Sequence, residues 1–171
     1  GKRFAKRVLL KEIGLPLDLK RPLLGIVSRF ADQKGFDLVA AIADQLAAED
    51  LALVILGSGD GRFEHLFREL SLRYPDKIAA HIGYDNALAH RIEAGVDMFL
   101  MPSRYEPCGL SQLYSLRYGT VPIVRATGGL EDTVDESTGF KFYDYTPAAL
   151  LDAVQRALVA WKDRKSWLTR M

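Results

Sequence analysis

The chain alternates. Short, continuous apolar runs recur along its 171 residues, and nearly every one is followed by an amphipathic helical pattern. The runs are Leu23–Val27, Leu51–Leu56, Ile78–Ile82, Asp97–Met101 and Val121–Val124. Strands covered on both faces read as unbroken apolar stretches, because neither face meets water. A further run, Thr138–Tyr143, mixes in polar residues and belongs at a sheet edge. Val39, Ile42, Ala43 and Leu46 share one helical face, as do Phe63, Leu66, Phe67 and Leu70. Leu151, Val154, Leu158 and Trp161 predict the buried face of the last long helix, which Thr146-Pro147 starts as N-cap and first-turn proline. Gly95 and Gly119 stop two others. Alternating strands and helices make βαβ units that close right-handed into an open parallel sheet. The expected architecture is α/β: about six parallel strands with helices on both faces.

Composition narrows the function classes. Apolar residues make up 49% and charged residues 26%, ordinary values for a folded globular chain. Lys plus Arg total 23 against 22 Asp plus Glu, so no global charge draws the chain to nucleic acid or to an anionic membrane. No apolar run approaches the ~20 residues of a membrane-spanning helix. The single cysteine, Cys108, has no partner for an internal disulfide and fits a reducing compartment. The first twenty residues read as a short basic helix and a Gly14-Leu15-Pro16 turn, expected to be a connection from an upstream domain. The opening on Gly1 rather than Met is what is expected of a fragment or of a tag scar.

Ligands of open α/β sheets bind at the carboxyl ends of the strands, so the loops after the runs matter most. Charges and glycines gather there. The loop after the first run carries Arg29 and Lys34, two cations suited to a diphosphate. The loop after the fourth carries Glu106, followed by Cys108, Gly109, Leu110 and Ser111 at an expected helix start, where free N–H groups favour anions. Gly83 and Tyr84 follow the third run, and Thr127, Gly128 and Gly129 the fifth. Gly57-Ser58-Gly59-Asp60-Gly61 fits a phosphate turn and a plain strand-to-helix turn equally. The first strand lacks the glycine fingerprint of nicotinamide dehydrogenases, and no P-loop occurs. His65, His81 and His90 have no metal-ligand spacing and read as structural or solvent-facing.

Three long blocks resemble a known family. Ser28-Arg29-Phe30-Ala31-Asp32-Gln33-Lys34-Gly35-Phe36-Asp37, Pro102–Leu110 and Gly119–Val134 look like blocks of bacterial glycogen synthases and plant starch synthases, in the same order. The resemblance extends to Gly57–Asp60 and Gly83–Asp85 and covers nearly the whole chain. It implies glycosyltransferase family 5, and within it the Rossmann-like C-terminal, nucleotide-sugar-binding half of a GT-B enzyme. The domain expected over residues 1–171 would lack the family's N-terminal acceptor domain and its last helix, and would be inactive alone. Such enzymes are cytoplasmic. They move glucose from ADP-glucose to the non-reducing end of an α-1,4-glucan, with retention and without a metal.

On that resemblance Arg29 and Lys34 neutralise the leaving diphosphate and Glu106 orients the donor glucose. Cys108, Gly109, Leu110 and Ser111 line the distal phosphate or the sugar, and Gly83 with Tyr84 packs on the base. Thr127, Gly128 and Gly129 line the phosphate side. Related GT-B enzymes carry a second acid where this chain has Tyr114, and Asp135–Gly139 is a shorter loop than in many relatives. A UDP-sugar transferase and a non-catalytic nucleotide-binding module stand as alternatives.

Overall fold

The computed structural model describes residues 1–106 and 111–171, with only the backbone of Ser111. Six parallel strands form one sheet: β1 (Leu23–Val27), β2 (Ala52–Gly57), β3 (Ile78–Ile82), β4 (Met98–Met101), β5 (Val121–Arg125) and β6 (Phe140–Phe142), in the order β3-β2-β1-β4-β5-β6. Each predicted run becomes a strand, and the polar-alternating sixth lies at an edge.

Strand alternation divides the core in two. Leu24, Ile26, Leu53, Ile55, Met98, Leu100, Val121, Ile123, Phe140 and Phe142 point to one face. That face is covered by α2 (Phe36–Ala41), α3 (Ala43–Ala48), α4 (Gly61–Arg73), α8 (Pro147–Lys162) and Trp167 of α9 (Arg164–Arg170). Leu23, Val54, Leu56 and Phe99 point to the other, where α1 (Lys2–Ile13) and α5 (Asn86–Gly95) pack. There α7 (Gly128–Thr133) covers Val124 with Leu130, and α6 (Ser111–Arg117) contacts α5 and α7. The central strand carries Gly25 because α5 sits flush on it: a Cβ there would lie 2.8 Å from Val96 Cγ1 and 3.0 Å from Ile92 Cγ2. Residues 1–20 pack onto the domain, with Leu9, Leu10 and Leu15 in the second core.

Two helices differ from the sequence reading. The face through Val39, Ile42, Ala43 and Leu46 is buried as expected, but the helix breaks at Ile42 (φ −110°, ψ 13°). Its N–H is shared between Leu38 O and Val39 O, which tightens the turn and re-aims the second segment. In α8 the fully buried stripe is Leu150, Ala153, Val154 and Ala157, rotated from the expected Leu151, Val154, Leu158 and Trp161. Small Ala153 and Ala157 let the helix approach the sheet closely. The bulkier Leu158 and Trp161 pack at its flank, where Trp161 Nε1 donates to Lys20 O at 3.0 Å. Thr146 does cap this helix, its Oγ1 accepting from Ala149 N–H at 3.1 Å.

Candidate active site

The strand order reverses between β1 and β4. The chain leaves β1 toward β2 and leaves β4 toward β5, so the loops after these two strands diverge and open a crevice at their carboxyl ends. Most predicted residues that the structure describes stand around that crevice.

Lys34 ends a single 3-10 turn, Asp32–Lys34, after β1. Its Nζ lies 2.7 Å from Glu106 Oε2 in the loop after β4, and the two side chains are 24% and 12% exposed. Gly35 makes this approach possible. Its φ of +83° suits glycine, and a Cβ there would fall 2.0 Å from Pro102 O in the opposing loop. Buried Ser103 donates from Oγ to the same Glu106 oxygen at 3.3 Å. Glu106 O in turn accepts from Gly129 N–H at 3.2 Å, which ties the acid to the Thr127–Gly129 loop after β5. Gly128 there has φ +49°, and Thr127 precedes α7 in extended backbone. A hollow of about 100 Å³ lies beside the ion pair, lined by Val27, Ser28, Lys34, Met101, Ser103 and Glu106.

Arg29, Gly83 and Tyr84 line a neighbouring cleft of about 390 Å³ with Ser28, Gly57 and Asp85. Ser28 borders both spaces. Arg29 is exposed and makes no ion pair among the described residues. Tyr84 is 88% exposed and presents an aromatic face at the cleft mouth. Asp85 caps α5 by accepting from Leu88 N–H at 2.9 Å. One cleft thus offers an aromatic plate and a cation, and the adjoining hollow a cation held by an acid. Cys108, Gly109 and Leu110 lie outside the described residues, and Ser111 opens α6.

The glycine run after β2 is a strand-to-helix turn closed by its own partners. Gly59 N–H donates to Glu64 Oε2 and Arg62 N–H to Asp60 Oδ1, both at 2.9 Å, so these amides are already satisfied. Hydrogen bonds from the Arg62 guanidinium, and then from the Arg62 backbone N–H, hold the Asp60 carboxyl below its ordinary range. His65 and His81 are exposed, and His90 meets Tyr114 edge-on at 5.9 Å. No group of three or more His, Cys, Asp or Glu among the described residues could hold a metal ion, and no helix there is long and apolar enough to cross a membrane.

Sequence reasoning missed Ser28 and Ser103 as lining residues, although both follow a strand directly and the rule about carboxyl ends points to them. It also missed Tyr145, which follows β6 at the same end. A larger hollow, about 720 Å³, lies at the opposite end of the sheet among Lys2, Phe4, Asp97, Trp161, Trp167 and Met171, and holds none of the predicted site residues.

The geometry has counterparts. Residues 11–170 match the family model described as "Glycosyl transferases group 1". The chain is 59% identical over 169 residues to a glycogen synthase of Koribacter versatilis (strain Ellin345), covering 95% of this chain and 35% of the relative. It is 47% identical over 173 residues to a glycogen synthase of Kosmotoga olearia, covering 97% of this chain and 36% of that one. The chain therefore spans about a third of the length of the curated relatives it matches. The catalytic domain of starch synthase IV from Arabidopsis thaliana, solved with ADP and acarbose, superposes with a TM-score of 0.88 at 32% identity, over 98% of this chain and 37% of that one. A sucrose-phosphate synthase from Thermosynechococcus elongatus gives 0.74 at 27% identity, over 95% and 40%. The open sheet, the crevice at its switch point and a match over nearly the whole length agree: the chain belongs to the glycosyl transferases group 1 family and has the fold of a GT-B glycosyltransferase domain.

Proposed function

We propose that this domain is the donor half of a cytoplasmic, retaining glycogen synthase, binding ADP-glucose for transfer of glucose to the non-reducing end of an α-1,4-glucan held by another part of the enzyme. The observation that carries the reading is the Lys34–Glu106 pair beside a cleft that holds Arg29 and Tyr84. An ammonium has three N–H donors, and the ion pair uses one. The others are available to a diphosphate, and Arg29 adds a second, unpaired cation. Negative charge develops on the diphosphate as the sugar–phosphate bond breaks, so fixed cations there lower the barrier. This assigns to Arg29 and Lys34 the neutralisation that a divalent metal gives other nucleotide enzymes.

Glu106 has two further tasks in this reading. Its carboxylate holds the Lys34 ammonium in place, and its remaining acceptor capacity orients donor sugar hydroxyls. The Tyr84 ring stacks the base, and the Gly83, Thr127, Gly128 and Gly129 backbone allows close approach of the ligand. Cys108, Gly109, Leu110 and Ser111 complete the phosphate side. The names of the relatives and the ADP bound to the starch synthase support the choice of donor.

Calorimetric titration tests this. ADP binds the 171-residue chain, and Arg29→Ala weakens binding about tenfold, the worth of one charge-assisted hydrogen bond. No heat of binding at millimolar ADP sinks the proposal. Competition between ADP-glucose and UDP-glucose distinguishes the donor, and stronger binding of the UDP sugar overturns the choice of base.

A further inference from the structure

We propose that Tyr145 is a positioning residue for the Lys34–Glu106 pair, a latch that fixes the two loops carrying it. The proposal rests on the reading that this pair meets the donor diphosphate. Tyr145 lies between β6 and α8, in neither of the loops it touches. Its phenol donates to Asp37 Oδ1 at 2.5 Å, and the carbonyl oxygen of Asp32 lies 3.2 Å away. Both partners flank Lys34 on the β1 side. Two guanidinium groups sit over its ring, Arg104 at 4.6 Å and Arg125 at 5.3 Å from the centroid. Arg104 stands two positions before Glu106 on the β4 side.

The same side chain therefore touches both loops, and the surrounding bonds close the arrangement. Arg104 N–H donates to Gln33 O at 2.9 Å, one residue before Lys34. The Arg104 guanidinium reaches Asp37 Oδ2 at 3.5 Å, and Arg125 Nη1 donates to Arg104 O at 2.6 Å. The ring supplies a negative face to two cations whose mutual repulsion it offsets, and the hydroxyl anchors that ring to Asp37. Burial and the neighbouring Asp37 carboxylate push the phenol up to about 12, so it remains a donor at neutral pH. No other described side chain contacts both Arg104 and the Asp32–Asp37 segment with a ring and a hydrogen bond together. Removing it leaves the ion pair's two loops joined at Gln33–Arg104 and Arg104–Asp37 but without the Tyr145 brace from the segment after β6.

The test uses two readouts on the intact chain. One is ADP affinity by calorimetry. The other is the Lys34 ammonium resonance by ¹⁵N NMR, which is visible when the group is held and is lost to exchange when it is loose. Tyr145→Ala is expected to broaden the Lys34 signal and weaken ADP about tenfold while thermal unfolding stays cooperative. Tyr145→Phe keeps the ring under both guanidinium groups, and is expected to retain the Lys34 signal with about threefold weaker binding. Tyr145→Ala with an unchanged Lys34 signal and wild-type affinity overturns the proposal. If the alanine variant does not fold, the phenylalanine variant decides, and wild-type ADP affinity there overturns it. If the wild-type chain itself binds no ADP, the functional reading fails separately, and the Lys34 signal alone judges the latch.

Discussion

The two ends of the sheet each hold a lysine–carboxylate pair at 2.7 Å, and the pairs have opposite characters. At the amino ends of the strands, Lys6 meets Asp97 with side chains 4% and 6% exposed. Every donor of Lys6 is engaged: it also donates to Leu19 O at 3.0 Å and Arg21 O at 2.7 Å. Asp97 Oδ2 accepts a further bond from Leu23 N–H at 2.9 Å. Trp161 lies 5.1 Å from the same ammonium. At the carboxyl ends, Lys34 has Glu106 as its one partner among the described residues, and both side chains remain in reach of solvent. A saturated pair can only hold elements together, here α1 and the segment before β1 against the start of β4. An unsaturated pair has donors left for something the chain does not supply. Distance and the charges paired are the same in both; what separates the structural pair from the candidate site is the number of hydrogen bonds still unmade.

Breaking the buried pair should have the largest effect. Lys6→Met leaves the buried Asp97 carboxyl without its ion-pair partner, a loss of about 3–5 kcal/mol in urea unfolding. A loss under ~1 kcal/mol would mean that the saturated pair does not hold the fold. Gly35→Ala comes next, at about 1–3 kcal/mol for a side chain forced into left-handed backbone, with more if Pro102 cannot move. It should also separate the two loops and weaken ADP binding, and a variant with wild-type stability and affinity would show that the loops do not need this contact. Lys34→Met should alter stability by no more than ~1 kcal/mol, as a partly exposed pair does. Yet it should weaken ADP binding at least about tenfold by calorimetry, since under the proposed function its free donors bond the diphosphate. A stability loss matching that of Lys6→Met would erase the contrast.

The smallest effect is in pH. Lys2 donates to Ala94 O at 2.8 Å and to Thr120 Oγ1 near the buried pair. Burial lowers its pKa from 10.5 to about 8, opposed by the Asp97 charge. Between those values the unfolded chain holds a proton that the native chain has released, so stability rises with pH across that window. The difference between wild type and Lys2→Met, followed by urea unfolding from pH 8 to 10.5, should therefore grow in favour of wild type as pH rises. A flat difference would show that Lys2 remains solvated at this end.

The strands and the place where the candidate residues gather were legible because both are written in residue type. Continuous apolar runs admit few alternatives in a parallel sheet, and Arg29, Lys34, Gly83, Tyr84 and Glu106 all follow such runs. The rotation of α8 was not legible, because periodicity ranks hydrophobicity while close packing on the sheet selects for small volume at Ala153 and Ala157. The satisfied amides of Gly59 and Arg62 were hidden for a related reason. A glycine run looks the same whether its N–H groups face a ligand or Glu64 and Asp60. Tyr145 carried no signal at all, since an aromatic residue between a strand and a helix belongs to no period, and its value lies in partners more than a hundred positions away (Asp32 and Asp37) as well as nearer ones.

The strand order also sets how far along the chain each half of the crevice must reach. The cleft around Arg29, Gly83 and Tyr84 draws on β1, β2 and β3, neighbours in the chain and in the sheet. The Lys34–Glu106 contact joins residues 72 positions apart and exists only after β4 has paired with β1, Leu24 beside Met98. Closing so long a loop is slow relative to local pairing. The two halves of the crevice thus differ in reach: the half with the aromatic plate is assembled from consecutive strands, and the half with the acid depends on the long closure that brings β4 to β1.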